Sequence, residues 1–597
     1  MLLFCVSMYD IVFVGGGPAA LFGAQYLSAL GSNLSFLVVE MGKKIEERNH
    51  DSEVECAAGI GGNGLFSDGK FSYYPAGTEL WKMDKDLLEN AYILYKDLMS
   101  KYHSVPDFPD LDESKTDFDA GECWKLKEYE TYYLSLDERY DLIKRMICEY
   151  KDKILTETEV IEISKGINCY IAKCKNVSTK EEFEIVCKKI VFGGGRFMPL
   201  FIKKLGFIPT EFKRIELGFR LEGPADSKIY NVSSKIDPKF VVKHEDTEYK
   251  TFCWCRSGEA VCTNFNGIRT WSGRSDCEPT GLSNFGFNVK FRNDSSMALL
   301  YDAVKTEPFS VPFCEDHLVA EPYKKIYSKI KEGLTTFLEL WKIEDMSDFV
   351  VKGPTIEGVG YYPITDGYLK IPNEEMYVIG DSTGKFRGIV ASMLSGAFVA
   401  AKLIDERNKK NVIMLSGKRF NGKGETSHIL KKFYESKGKK VYVIAFSYFL
   451  KKQFCEMNGL DLGRFISDHE YKDSFRDALT AYLDTCEYEA FTRMLIHAID
   501  CSHFGEYDLY IIDDVRCFEA QVKYVLNNCL NKWNVQIIRV NATDESRQKR
   551  GWVKSKYDEH MCENDLDNYK GFNSIIDNDG SIEDLEKKVL SLNLFID

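Results

Sequence analysis

YDIVFVGGGPAALFGAQYLSALG, residues 9–31, decides the fold of the N-terminal half. A short apolar run, a glycine turn and apolar residues at helical spacing follow in the order of a strand-turn-helix unit. Gly15 permits the tight turn, Gly17 lets backbone approach a pyrophosphate, and Ala20 keeps the helix close to the sheet, its N-terminus facing the phosphates. The next run, SFLVVE (35–40), ends in Glu40, about 20 positions beyond Ala20, the spacing of an acid that binds a ribose hydroxyl.

With 597 residues, the chain exceeds one core at about 100–200 residues per domain and is expected to hold two or three. Its 44% hydrophobic and 28% charged residues are globular proportions and argue against disorder. A formal charge of −14 opposes nonspecific attraction to nucleic acid or anionic lipid, so small molecules are the expected partners. Eighteen cysteines lie scattered along the chain without the spacing of a secreted disulfide scaffold, which predicts reduced thiols and a cytoplasmic compartment. The apolar start MLLFCVSMYDIVFV lacks a basic flank and reads as a buried strand rather than a signal peptide. No run of about 18 apolar residues predicts a membrane span. The oligomeric state is not legible.

EEMYVIGDSTGKFRGIVASMLSGAFVA (374–400) gives a strand ending at Gly380 and Asp381, a turn through Gly388, and a helix of small residues. It resembles the closing motif of flavoprotein oxidoreductases, which implies that Asp381 meets the ribityl-phosphate part of FAD and that the helix start at Gly388 faces the flavin. Between the two ends lie ECAAGIGGNGLFSDGK (55–70), IVFGGGRFMPLFIKKLGF (190–207), IELGFRLEGP (215–224), TFCWCRSGEAV (251–261) and GVGYYP (358–363). In order and wording these resemble the uncharacterised FAD-dependent dehydrogenases, a glutathione-reductase-like group, over about the first 400 residues. The resemblance implies an FAD-binding Rossmann-like three-layer domain (about 1–205 and 350–410) with an inserted α+β substrate domain (about 206–349). NAD(P)H is the candidate hydride donor, without a legible site.

Gly59, Gly61, Gly62 and Gly64 with Ser67, Asp68 and Lys70 either wrap the cofactor or form a surface loop. The spacing of Cys253, Cys255, Cys262 and Cys277 matches no common zinc ribbon or finger, and no metal ligand is assigned. A redox disulfide after the second strand would need two cysteines where only Cys56 stands. FGGGR (192–196) lacks the spacing of a second dinucleotide fingerprint and reads as a chain return to the first domain.

The charged stretch DERNKKN (405–411) precedes a new apolar run, NVIML, then SGKRFNGKG (416–424) and the helical ETSHILKKFY. Strand, glycine loop, lysine and helix in this order cradle phosphates on backbone N–H groups, with Gly417 and Gly422 in the loop and Lys423 offsetting charge. The loop, with FSYFLKKQFCEMNGLDLGRFISDHEYKDSFRDAL, IIDDVR, VNATDESRQKRGW and ENDLDNYKGFNSIIDNDG, closely resembles animal-type phosphomevalonate kinase, a small kinase of the nucleoside-monophosphate-kinase fold, from 411 to 597.

That family carries aspartate after the loop lysine. Here Gly424 stands in its place, and Glu425 would project from another side. The resemblance implies that Lys418, Arg419, Lys423 and Arg550 serve transfer and that Arg547 lies in a lid over ATP. It implies that Lys472 and Arg476, i and i+4 on one predicted helix, serve the acceptor phosphate. Arg516 matches the second of two family arginines, and Val515 replaces the first. Asp567, Asn568 and Asn578 match polar positions that either order the substrate pocket or make ordinary turns.

The expected architecture is therefore an α/β FAD-dependent oxidoreductase (1–410) followed by a P-loop, nucleoside-monophosphate-kinase-like parallel α/β domain (411–597). The expected activity is bifunctional: a flavin half of unknown, isoprenoid-like substrate, and a kinase half passing the γ-phosphate of ATP with Mg²⁺ to 5-phosphomevalonate. The alternatives are another small phosphorylated acceptor such as a nucleoside monophosphate, a nucleotide-binding pseudokinase that regulates the flavoprotein, or an FAD-bound scaffold without activity.

Overall fold

The computed structural model describes residues 8–595 except 111–116, 122, 245–246, 276, 292–306, 320, 322, 502–504, 531 and 593. The start of the apolar N-terminal run, residues 1–7, lies outside the described residues. The chain divides into two compact units, Met1–Ile404 and Asp405–Asp597.

In the first unit, the strand Tyr9–Val14 lies between Phe36–Val39 and Glu182–Phe192, parallel to both. Ile154–Leu155 extends the sheet beyond Phe36–Val39, and Met376–Val378 pairs parallel with Glu182–Phe192. The hairpin Thr158–Lys165/Tyr170–Asn176 adds an antiparallel edge. The strand Tyr9–Val14 is apolar on both faces because each faces its own core, Ile11 and Phe13 in one and Val12 and Val14 in the other. Ile11, Val12 and Phe13 are fully buried accordingly.

The helix Pro18–Ala29 packs against the helix Ile389–Asn408 at a place where neither chain tolerates a side chain. A Cβ on Gly396 would stand 1.9 Å from the Ala19 carbonyl oxygen, and one on Gly23 would stand 2.9 Å from that of Gly396. The small residues of ASMLSGAFVAA thus let the two helices that begin at the nucleotide end approach closely. The start of the charged stretch DERNKKN is the last turn of this helix, its polar residues following the apolar face that anchors it.

An eight-stranded antiparallel sheet forms the other layer. Its order is Phe309–Pro312, Val350–Pro363, Thr210–Pro224, Leu282–Phe291, Thr247–Cys255, Lys239–His244, Trp124–Lys127 and Asp117–Gly121. Two departures from the expected inserted span of 206–349 appear. Val350–Pro363 pairs along Thr210–Pro224 instead of joining the parallel sheet, and the hairpin 117–127 adds the far edge through Lys239–His244. The physical reason is a shared aromatic core: Trp124, Phe240, Phe285, Phe287 and Phe337 bury together under the helix Tyr323–Leu340.

The second unit is a five-stranded parallel sheet in the order Val441–Ile444, Leu509–Val515, Lys410–Ser416, Trp533–Asn541, Ser574–Asp577. The strand that feeds the glycine loop is central, and Val412, Ile413, Met414 and Leu415 are fully buried. In such open parallel sheets, ligands bind beyond the carboxyl ends of the strands, where the connections diverge to either side. The loop 417–422 leaves the sheet at that point.

Among the described residues, no helix is long and apolar enough to cross a membrane.

Candidate active sites

In the first unit, a cavity of about 990 Å³ opens at the carboxyl ends of the parallel strands. Gly15, Gly17, Glu40, Gly62, Asp381 and Gly388 line it. Gly15 sits at φ +111°, and a Cβ there would stand 2.7 Å from Gly194 Cα, so the turn excludes every other residue. Gly17 differs: the nearest atom to its Cβ would be 3.7 Å away, so the space beside it is left to the cavity. No side chain caps the N-terminus of Pro18–Ala29, which leaves its first N–H groups for an anion. At Gly388, with φ +88°, a Cβ would meet nothing within 4 Å.

Two of the predicted residues are not in the lining. Ala20 is fully buried and packs at the Cβ position Gly193 lacks. Gly61, at φ +92°, donates its N–H to the Gly16 carbonyl at 2.8 Å, so it braces the loop from behind. Glu40 has a larger structural part than the ribose reading gave it. Its carboxylate accepts backbone N–H groups from Gly16 (2.5 Å), Gly42 (2.8 Å) and Gly59 (2.9 Å), tying three glycine turns together.

The cavity wall also holds an ionic cluster that sequence reading missed. Glu216, fully buried, pairs with Lys250, with Arg387 (3.3 Å) and with Arg214 (3.4 Å). Glu357 pairs with Arg196 (2.7 Å) and Arg387 (2.5 Å), and Arg387 reaches Asp381 at 3.4 Å. Burial would raise the Glu216 carboxyl, but three cations outweigh it and hold it well below the usual range. Burial pulls Lys250 down to about 7, with the like charges of Lys239, Arg387 and Lys290 adding to it against the pull of Glu216. The signal in the sequence was the charges inside IELGFRLEGP, where an apolar strand carries Glu216, Arg220 and Glu222.

Lys70, a loop lysine in the sequence, is buried and pairs with Asp68 (3.0 Å) and Asp237 (3.2 Å). Asp68, Cys253 and Cys255 bring three ligand-type atoms together. Cys262 and Cys277 are not in that group, so the four cysteines do not converge.

In the second unit, a cleft of about 370 Å³ is lined by Lys418, Phe420, Gly422, Lys423, Gly424, Ala445, Lys451, Lys472, Asp513, Asp514 and Arg516. Gly422 ends the loop at φ +98°, where a Cβ would stand 2.2 Å from Asn578 Nδ2, and Gly417 passes the Val540 carbonyl as closely, at 2.5 Å. Gly424 is the opposite case, with nothing within 4 Å of its Cβ position. The Lys423 ammonium donates to the carbonyls of Gly417 (2.6 Å) and Lys418 (3.2 Å). Burial, then the charge of Arg516, lowers it to about 8.

The remaining basic residues divide into cleft and frame. Lys418 reaches Asp567 (2.6 Å) and Asn564 (2.9 Å). Arg547 donates to the Arg419 carbonyl (2.9 Å), and Arg550 to those of Phe420 (3.4 Å) and Asn578 (2.6 Å). Both thereby hold the loop backbone, and Arg547 lies against the Trp552 ring at 3.8 Å. Arg419 turns to Ser555 (3.2 Å) and Asp558 (3.9 Å), away from the cleft lining. Asn578 donates to the Asn421 carbonyl at 2.9 Å. Asn568 is exposed and outside the lining.

The single helix expected through Lys472 and Arg476 is two: His469–Ser474 and Arg476–Leu483, separated at Phe475. Phe475, half-buried, packs against Phe465 and Tyr471, and the turn that places its ring there breaks the helix between the two basic residues. Lys472 lines the cleft, whereas Arg476 pairs with Asp473 and is not in the lining. Glu425 is exposed and also outside it.

The sequence reading missed Lys451, Asp513 and Asp514. Burial would raise the Asp514 carboxyl, but Arg516, Lys451 and Lys423 outweigh it and hold it far below the usual range. Burial and the like charge of Asp514 instead raise Asp513 to about 6. The signal was available as two adjacent acids closing the apolar strand LYIIDDV. Val515 is fully buried in the core.

Residues 415–531 match the family model of phosphomevalonate kinase, so the second unit carries a phosphomevalonate kinase domain. Among solved structures, the chain is similar to the substrate-free rebeccamycin biosynthetic enzyme REBC, at 11% identity over 66% of this chain and 63% of that one, with a TM-score of 0.30. It is also similar to a flavoprotein/dehydrogenase from Cytophaga hutchinsonii (13% identity, 66% of this chain, 79% of that one, TM-score 0.31). A third is p-nitrophenol 4-monooxygenase from Pseudomonas putida (12% identity, 67% and 81%, TM-score 0.33). The chain spans about 63% of the length of the first of these.

Proposed function

We propose that the second unit is a kinase that transfers the γ-phosphoryl group of ATP to the phosphate of 5-phosphomevalonate, and that the first unit is an FAD-dependent oxidoreductase. The observation that carries the kinase reading is the cleft itself. Four lysines and Arg516 converge on the glycine loop at the carboxyl ends of parallel strands, beside two acids. A site for two polyanions needs that charge, since both must be held close while charge shifts between them.

In this reading the backbone N–H groups between Gly417 and Lys423 cradle the ATP phosphates, and Lys423 exchanges its two carbonyl contacts for phosphate oxygens. Lys472 and Lys451, across the cleft, face the acceptor phosphate and orient it for in-line attack. Bound Mg²⁺ would neutralise phosphate charge, and Asp513, a carboxylate in the cleft lining beside Asp514, fits as the residue that holds it. Arg547, Arg550 and Asn578 keep the loop carbonyls turned outward and so position the cradle. Gly424 and the buried Val515 remove a carboxylate and a guanidinium from the acceptor side. Transfer to another phosphorylated acceptor, such as a nucleoside monophosphate, is the second reading those two positions favour.

FAD fits the first unit on its own geometry: an uncapped helix start, a glycine turn that closes without filling the cavity at Gly17, and an open second turn at Gly388. Bound there it would supply reversible hydride acceptance. Gly15–Gly17 would receive the pyrophosphate, Asp381, paired with Arg387, would face the ribityl hydroxyls, and the Glu216–Lys250–Arg387 cluster would set the charge of the inner wall. The hydride donor, with NAD(P)H as the candidate, and the substrate are open to assay.

Phosphorus NMR tests the kinase reading directly. A diphosphate signal on mevalonate appearing with ADP supports it, and loss of ATP signal only to a nucleoside monophosphate would move the assignment to the second reading. A flavin absorption band released on denaturation tests the first unit.

A further inference from the structure

The wall of the first unit's cavity carries two cysteines that the flavin and kinase readings leave unused. Thr247–Cys255 pairs in register with Leu282–Phe291 up to Phe252, then breaks register before Cys255. Cys253, inside that bulge, sits at φ +49°, a left-handed conformation rare for a residue with a side chain. Bulges beside sites re-aim side chains, and this one brings the two sulfurs to 3.9 Å. Cys253 lines the cavity, while Cys255 is fully buried behind it.

The surroundings treat the two sulfurs differently. Cys253 Sγ donates to Asp68 Oδ2 at 2.9 Å. Cys255 Sγ accepts from Arg220, 3.6 Å away, whose other bonds run to the Cys253 carbonyl (2.7 Å) and Asn284 (2.6 Å). Lys70 and Arg220 are 6% and 1% exposed, so two buried cations stand among two carboxylates, Asp68 and Asp237, and one thiol pair. The cations already compensate the anionic charge, which makes the group a poor fit for a divalent ion and a good fit for a thiolate.

We propose that Cys253 and Cys255 are a redox-active dithiol that reduces small disulfides entering the cavity, Cys253 attacking and Cys255 resolving. As the Cys253 sulfur attacks one sulfur of a disulfide RSSR, its proton passes to Asp68, and RS⁻ leaves and takes that proton. The mixed disulfide on Cys253 is then attacked by the Cys255 thiolate, releasing the second RS⁻. Two protein sulfurs are oxidised to a disulfide and RSSR is reduced to one thiol, RSH, and one thiolate, RS⁻, which takes its proton from water, with no other electron carrier. The sulfurs close from 3.9 Å to about 2.05 Å, a movement the bulge permits. The hydrogen bond from Cys253, with Lys70 and Arg220 nearby, lowers the Cys255 thiol below the ordinary range, whereas Cys253 is raised.

Trypsin reads the outcome cleanly, because Lys250 and Arg256 flank a peptide, 251–256, that holds both cysteines and no others. The full-length protein is incubated with glutathione disulfide, alkylated under denaturing conditions, digested and weighed. The expected peptide is unalkylated and lighter by two hydrogens than the reduced form. Cys255→Ser is expected to retain glutathione on Cys253, and Asp68→Asn to slow wild-type oxidation about tenfold. Two alkyl groups on the wild-type peptide even in excess glutathione disulfide would overturn the proposal, as would glutathione stably retained on Cys253 of the wild type. The readout needs no bound flavin, so it stands or fails apart from the FAD reading.

Discussion

Arg516 donates from Nε to Asp514 at 2.7 Å and from a terminal nitrogen to Glu563 at 2.5 Å. Asp514 also accepts from Ser447 at 2.9 Å. These bonds commit one of two adjacent acids and leave Asp513 facing the cleft with its carboxyl raised to about 6 by burial and by Asp514. Asp513→Asn is therefore expected to stabilise the ligand-free protein at pH 7 by about 3 kcal/mol, since about two pKa units of unfavourable ionisation disappear. The same change is expected to remove the Mg²⁺ dependence of nucleotide affinity. Thermal unfolding and nucleotide titration with and without Mg²⁺ check both. A destabilised variant that still binds Mg²⁺-nucleotide normally would remove Asp513 from the site.

Lys423 gives a pH dependence of definite sign. Its folded-state pKa, about 8, lies below the ordinary lysine value because burial disfavours the ammonium. The ammonium stabilises bound phosphate, so nucleotide affinity is expected to be level below pH 8 and to fall above it by at most about tenfold per unit. Lys423→Ala should flatten the profile. An affinity that rises from pH 8 to 9 in the wild type would contradict the contact.

Two glycines of one loop should respond oppositely. Gly422→Ala puts a Cβ 2.2 Å from Asn578 Nδ2 at φ +98° and is expected to cost about 1–3 kcal/mol. Gly424→Asp enters open space and returns a carboxylate to the cleft, so it should leave the melting temperature unchanged and raise turnover on 5-phosphomevalonate. Equal loss of stability in both would place Gly424 in a packed environment the structure does not have.

Gly17→Ala separates fold from cofactor. Its Cβ would lie 3.7 Å from the nearest atom, an ordinary contact, yet it would fill space beside the uncapped helix start. The variant should fold with normal circular dichroism and carry at least about tenfold less flavin. Full flavin occupancy would move the pyrophosphate site elsewhere.

What the sequence made legible was what sits close together in it. The glycine turn at 15–17 and the loop at 417–424 each lie within one strand-turn-helix unit, and backbone geometry alone fixes their form. What it hid was assembled from afar. Glu216, Lys250 and Glu357 meet only because antiparallel strands bring them side by side, with Arg387 reaching them from the turn before Ile389–Asn408, and the hairpin 117–127 joins its sheet only because Trp124 shares an aromatic core with Phe287 and Phe337. Phe475 broke a predicted helix for a similar reason: the packing of a half-buried ring against Phe465 and Tyr471 outweighed helical periodicity. Asp513 and Asp514 were readable as acids at a strand end, but only the parallel pairing of Leu509–Val515 with Lys410–Ser416 puts them beside the glycine loop.

The kinase reading is tested most directly by the rate of ADP formation from ATP with Mg²⁺ and 5-phosphomevalonate, run beside Lys423→Ala and a panel of nucleoside monophosphates. The account predicts turnover that requires 5-phosphomevalonate and falls at least about a hundredfold in the variant. Turnover that ignores 5-phosphomevalonate, or that survives loss of Lys423, would contradict it.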